Sequence, residues 1–177
     1  MPQGASARRY AEAAFDLAKK QGKLDRWLSD LRTAAGILAD PRLMAALDNP
    51  KAPRARKRQY LDSAFTVTLD PMVHNLLYLL VDRGRVRLVG RIADEFVNLY
   101  NREMGIVVAD VTTAVALGEA EQRRVRERLQ ALTNAQQIDL RLHTDPRIIG
   151  GLVARVGDML YDGSVRTRLS DLQERLI

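Results

Sequence analysis

The stretch IGGLVARVGDMLYDGSVRTRL, residues 149–169, carries Gly150, Gly151, Gly157 and Gly163 within fourteen residues and then turns helical in pattern. Glycines ahead of a helix cradle phosphate when their spacing is right. A P-loop needs Gly-Lys-Ser/Thr after its first glycine and four further residues, so that a lysine reaches the phosphates. The last lysine of the chain is Lys57. A dinucleotide fingerprint needs Gly-x-Gly-x-x-Gly between strand and helix, and that spacing is also missing. The glycines fit turn-making better. Leu152 to Val156 and Met159 to Tyr161 are short apolar runs, and Gly157-Asp158 between them predicts a tight hairpin turn. Asp162-Gly163 ends the second run, and Ser164 is placed to cap a helix.

The remaining reactive side chains form no constellation for catalysis. His74 lies beside an apolar helical run, and His143 on the polar side of a strand pattern. Neither has a second histidine or a carboxylate at a helical ligand spacing, so no metal site is expected. Asp158 and Asp162 suit turns. Ser164 has no base within its segment. The basic runs Arg54-Ala55-Arg56-Lys57-Arg58 and Arg83-Gly84-Arg85-Val86-Arg87 are able to touch phosphates. Only Tyr60 lies near them as a stacking aromatic, and no helix-turn-helix or RNA-binding signature appears. A basic nucleic-acid-binding adaptor is therefore the alternative reading rather than the first.

Elements must hold whatever function exists, and composition bounds them. The chain has 177 residues, 46% hydrophobic and only 5% aromatic, with no cysteine. That suits one domain or two small ones with a core of Ala, Leu, Val and Ile, in a reducing compartment. The opening MPQGASARRYAEAAF lacks the apolar run of a secretory signal. No apolar run approaches the ~18 residues of a membrane span. The net charge of +6 is unevenly placed. Residues 1–105 hold 18 Lys and Arg against 12 Asp and Glu, and the rest hold 10 of each. A charged partner belongs to the first half.

Residues 1–104 read as a six-helix bundle. The predicted helices run over 6–20, 24–39, 41–47, 54–65, 71–83 and 85–103. Gly22 and Gly84 are stops, and Asp40-Pro41 and Asp70-Pro71 are starts. Gly105 then punctuates, and residues 105–177 read as a small α/β domain. It has a β-branched strand at 106–117, a helix from Gly118, an alternating strand around Ile138, Leu140 and Leu142, the hairpin, and a final helix carrying Val165, Leu169, Leu172 and Leu176. The fold class is α+β. The first helix is more apolar than one core face requires. Tyr10, Ala13, Ala14 and Leu17 form one stripe, and Ala11, Phe15 and Ala18 a neighbouring one. Either the helix is central, or one stripe is kept for a partner helix.

These residues resemble a known family, the delta subunit of bacterial-type ATP synthase, also called the oligomycin-sensitivity-conferring protein family. The matching residues are Ile149-Gly150-Gly151, Arg155-Val156-Gly157-Asp158, and Asp162-Gly163-Ser164-Val165-Arg166 with Leu169. Ala7-Arg8-Arg9-Tyr10-Ala11-Glu12-Ala13-Ala14-Phe15 is similar to the family's opening helix, and Asp25-Arg26-Trp27 and Asp82-Arg83-Gly84-Arg85 to later segments. Ala154, Tyr161 and Gly118 depart mildly from the family's usual residues.

The resemblance implies a non-catalytic stator without active site or cofactor, present once in a hetero-oligomer. It would sit on the cytoplasmic face of a bacterial membrane, peripheral through the complex. Residues 1–104 would bind N-terminal segments of the alpha subunits of the catalytic head. Residues 105–177 would bind the C-terminal ends of the b-type stalk subunits. The family's groove between first and fifth helices points here to Tyr10, Ala13, Ala14 and Leu17. Periodicity adds Leu76, Leu79 and Leu80. On this reading Ala14→Asp weakens head binding without unfolding the chain.

Overall fold

A computed structural model describes residues 3–66, 68–167 and 169. The chain divides into two compact units, residues 1–100 and 101–177. It is α+β: helices dominate the first unit, and the second holds a four-stranded sheet.

The first unit contains α1 (Gln3–Lys20), α2 (Leu24–Ile37), α3 (Pro41–Asp48), α4 (Arg54–Ala64) and α5 (Pro71–Asp82). A 3-10 turn at Val86–Leu88 leads into α6 (Val89–Glu103). Local chemistry sets these bounds. After α1, Gly22 adopts φ +64 and its N–H meets the Lys19 carbonyl at 3.1 Å, while Lys23 N–H reaches Ala18 at 3.0 Å. After α5, Gly84 adopts φ +63 with the same pair of bonds, Gly84 to Val81 and Arg85 to Leu80. Both are Schellman stops, in which glycine takes the left-handed position. Asp40 and Asp70 accept the N–H groups of Arg42 and Met72 at 2.7 and 3.0 Å, each with proline in the first helical turn.

The expected start of the sixth helix differs. The predicted helix over 85–103 is a 3-10 turn followed by α6, and the turn tucks Val86 and Leu88 into the core. Burying those two apolar side chains straight after the Gly84 stop favours the tighter winding.

The core centres on Trp27, Leu31, Leu77, Leu80, Ile92 and Phe96. Phe96 stacks on Trp27 at 6.4 Å and meets Phe15 edge-on at 5.6 Å. α1 contributes small residues, Ala7, Ala11, Ala14 and Ala18, so its backbone lies close to its neighbours. The two apolar stripes of α1 have different fates. Ala11, Phe15 and Ala18 are buried, while Ala13 and Leu17 stay exposed. α1 is thus not enclosed on all sides.

The second unit contains β1 (Ile106–Thr113), α7 (Glu119–Thr133), β2 (Gln137–Thr144), a 3-10 turn at Pro146–Ile148, β3 (Leu152–Val156) and β4 (Met159–Asp162). Strand order is β2-β1-β3-β4. β1 and β2 are parallel, with Ala109 opposite Leu140, and α7 makes the crossover. β3 runs antiparallel to both β1 and β4, with Val111 opposite Ala154. Ala109, Val111, Ile138, Ala154 and Val156 bury against Leu129 of α7. Gly118 has no side chain to cap α7, but Glu121 accepts its N–H at 2.9 Å. β1 stops at Thr113, short of the expected Leu117. The Thr113 hydroxyl bonds the Val115 carbonyl at 2.7 Å and its own carbonyl takes the Asp145 N–H, which turns the chain out of the sheet. Residues 165–167 are helical. Leu172 and Leu176 of the expected final helix lie outside the described residues.

Candidate functional site

A groove of about 350 Å³ runs between α1 and α5. Tyr10, Ala13, Ala14 and Leu17 line it from α1, Met72, Asn75, Leu76 and Leu79 from α5, and Trp27 from α2. Six of the seven residues singled out from the sequence meet here. Leu80 does not. It is 1% exposed and belongs to the core with Val73, Leu77 and Val81. Met72, Asn75 and Trp27 were missed. Met72 and Asn75 lie on the same stripe of α5 as Leu76 and Leu79, two turns and one turn before Leu79. Trp27 reads as core by periodicity, and it is core and groove wall at once.

The groove's walls are held by a polar network at the start of α5. Lys23 Nζ donates to Asp70 Oδ2 at 2.9 Å. The Asp70 backbone N–H donates to the buried Asp30 at 2.7 Å, and Arg26 Nε donates to the same carboxylate at 3.1 Å. Arg26 also donates to the Thr68 carbonyl. The network ties α2 to the N-terminus of α5. Asp70 is held below the usual carboxylate range, first by the Lys23 hydrogen bond, with Met72 N–H assisting against the opposing effect of burial. On the rim, Arg85 donates to the Tyr10 hydroxyl at 3.2 Å with its guanidinium 5.9 Å from the ring. Leu17, Met72 and Leu79 are 45%, 46% and 42% exposed. The recess is contiguous, apolar and open to solvent.

The other singled-out residues sit together in the second unit. Gly157 (φ +59) and Asp158 make the turn between β3 and β4. Gly151 has φ +77, and Gly163 N–H meets the Leu152 carbonyl at 2.9 Å. Val165 N–H meets the Gly150 carbonyl at 3.0 Å. Ser164 Oγ accepts the Thr167 N–H at 3.2 Å, and Asp162 accepts from Ser164 N–H and the Thr167 hydroxyl, both at 2.8 Å. Those bonds, the Ser164 N–H foremost, lower the Asp162 pKa. The signature residues thus bond one another.

The two histidines each acquire a carboxylate from another element. His74 Nε2 lies 3.0 Å from Asp62 of α4, which also accepts the Tyr78 hydroxyl at 2.5 Å. That bond raises the Tyr78 pKa. His143 lies 3.6 Å from Asp110 across the β1–β2 pair. Among the described residues no group of three His, Cys, Asp or Glu side chains is placed to hold a metal. The basic runs are partly spent internally. Arg58 pairs with Asp82 and covers Tyr78, and Arg87 pairs with Asp48 at 2.7 Å.

The family model for the ATP synthase delta (OSCP) subunit matches residues 7–176. The chain belongs to that family. An ATP synthase subunit delta of Anaeromyxobacter sp. (strain Fw109-5) is 38% identical over 178 residues, 99% of each chain. One from Synechococcus sp. (strain JA-2-3B'a(2-13)) is 37% identical, covering 94% of this chain and 92% of its own. Among solved structures, a chain of the Toxoplasma gondii mitochondrial ATP synthase hexamer superimposes with a TM-score of 0.67 at 29% identity. It covers 99% of this chain and 97% of its own. The family match extends over both units.

Proposed function

We propose that the chain is the non-catalytic stator subunit of a proton-translocating ATP synthase. It clamps the catalytic head to the peripheral stalk, so that rotor torque drives ATP synthesis instead of turning the head. The delta (OSCP) family match across nearly the whole chain carries this reading. The first unit, read as a six-helix bundle over residues 1–104, binds the head. The second, residues 105–177, binds the C-terminal ends of the b-type stalk subunits. The alpha subunit's N-terminal segment lies as a helix in the α1–α5 groove, against Tyr10, Ala13, Ala14, Leu17, Leu76 and Leu79. The alanines let a partner backbone approach closely, and the half-exposed leucines supply apolar area. Leu80 acts behind the groove as packing.

The protein serves as one copy per complex, on the cytoplasmic face of a bacterial membrane. No helix among the described residues is long and apolar enough to cross a membrane, and attachment comes through the complex. The test uses Leu17→Asp and Leu79→Asp, each at a half-exposed position. Co-sedimentation with catalytic heads stripped of this subunit is expected to show at least about tenfold weaker binding for each, with unchanged circular dichroism. Unchanged affinity in both variants contradicts the groove.

A further inference from the structure

α1 and α5 run antiparallel along the groove. Tyr10 of α1 meets Arg85, just past the end of α5, and Lys23, just past the end of α1, meets Asp70 at the start of α5. Leu17 and Met72 therefore lie toward one end, and Tyr10 and Leu79 toward the other. At the first end Lys23 is spent on Asp70, and Arg26 on Asp30 and the Thr68 carbonyl. At the second end Arg85 donates to the Tyr10 hydroxyl at 3.2 Å, and no carboxylate among the described residues pairs with it. Arg83 continues the Leu76–Leu79 stripe by one turn and also stands without an ion pair among the described residues. The acids closest in sequence, Glu12 and Asp82, are held by Arg8 and Arg58. Arg85 is also fixed in place. Its backbone N–H meets the Leu80 carbonyl at 2.7 Å, the next residue, Val86, is 1% exposed, and its guanidinium lies 5.9 Å from the Tyr10 ring centre.

We propose that Arg85 is a specificity-determining residue of the groove: the bound helix presents an Asp or Glu side chain to its guanidinium. The proposal rests on the groove reading above. A guanidinium only donates, and its planar fork matches a carboxylate. Tyr10 takes one donor of that fork and leaves the rest facing solvent at the mouth of an apolar recess. Because Tyr10 already orders the side chain, less freedom is lost when a carboxylate arrives. The occupant is thus an amphipathic helix with apolar residues over Leu17, Ala13 and Leu79 and an acid at the end that lies beside Tyr10. A helix with a basic residue at that end sets like charges against Arg85 and Arg83 and is discriminated against.

The test pairs the intact chain with a peptide of the alpha subunit's N-terminal segment, in which each Asp or Glu is changed in turn to Asn or Gln. Calorimetry gives the affinities. Arg85→Gln, an exposed position, is expected to bind the unaltered peptide about fivefold more weakly, with a shallower dependence on salt and an unchanged melting temperature. Arg85→Lys is expected to fall between the two. One acid-to-amide peptide is expected to bind the native chain about fivefold more weakly, yet to bind Arg85→Gln as well as the unaltered peptide does. A side chain that merely props Tyr10 does not produce that coupling. Equal binding of every amide peptide to the native chain, or a loss that persists undiminished in Arg85→Gln, overturns the proposal and leaves the groove standing. Failure of the native chain to bind the unaltered peptide, or undiminished binding by Leu17→Asp, overturns the groove reading and the proposal with it.

Discussion

A Cβ on Gly151 would stand 2.3 Å from the carbonyl oxygen of Gly163. The two glycines lie at opposite ends of the β3–β4 hairpin, and their backbones touch where the chain enters and leaves it. This contact explains the glycine at position 151. Gly151 also has φ +77, so a side chain there is strained as well as blocked. Gly157 has φ +59 and open space around it, and a Cβ on Gly163 would meet only the Leu152 carbonyl at 3.4 Å.

An order of damage follows for alanine substitutions. Gly151→Ala is expected to cost about 3 kcal/mol or more, Gly157→Ala about 1 kcal/mol, and Gly163→Ala within about 0.5 kcal/mol. Urea unfolding read at sheet amides by NMR measures this, because Trp27 lies in the other unit. An equal effect at Gly151 and Gly163 contradicts the close approach.

Ile149 is a strained neighbour. It has φ +68 and ψ −42, and Gly150 N–H bonds the Ile148 carbonyl across it at 2.8 Å. That is a γ-turn in the conformation a β-branched residue tolerates least. The side chain is nevertheless 64% exposed. Ile149→Gly is expected to stabilise the free chain by about 1 kcal/mol, strain relief exceeding the added chain entropy. Thermal melts of the second unit check it, and a loss of stability contradicts it.

Asp70 makes the first unit acid-sensitive. Its folded pKa is lowered from 3.8 by Lys23 and Met72. A depressed carboxylate contributes stability above its unfolded pKa, and that contribution is lost as pH falls through the folded value. Stability is therefore expected to drop below about pH 4, and Asp70→Asn is expected to flatten that drop. Asp70→Ala, which removes both cap and ion pair, is expected to cost about 2 kcal/mol at pH 7. Denaturation midpoints of the three chains against pH give the comparison.

Ala14 is a poor place for a surface charge. From the residue pattern alone Ala14→Asp is expected to leave folding intact, but Ala14 is 3% exposed and belongs to the core cluster with Phe15 and Ala18. A carboxylate there is expected to destabilise the unit by about 3 kcal/mol or more. Leu17→Asp is expected to change stability by less than about 1 kcal/mol. Thermal melts of the two variants separate the cases.

Much of this architecture is written locally. Asp40-Pro41, Asp70-Pro71, Gly22 and Gly84 act within a few residues of themselves, so their roles are readable without tertiary information. The Gly157-Asp158 turn is of the same kind. Leu80 is different. α5 reads PMVHNLLYLLVD and is apolar nearly all round. Periodicity cannot tell which of its stripes meets the core and which stays open. Trp27 defeats pattern-reading for a related reason, since one large ring serves two surfaces. Asp62 beside His74, and Asp110 beside His143, arise from packing of separate elements and leave no trace in spacing.

The central claim is that the α1–α5 groove receives a helix of the catalytic head. Trp27 lines that groove, so its fluorescence reports occupancy directly. The decisive measurement is a titration of the intact chain with ATP synthase heads stripped of this subunit, following Trp27 emission with co-sedimentation in parallel. Saturable one-to-one binding that a peptide of the alpha subunit's N-terminal segment reverses is the expected result. Absence of binding by both methods with intact, matched heads, or binding that saturating peptide leaves untouched, contradicts it.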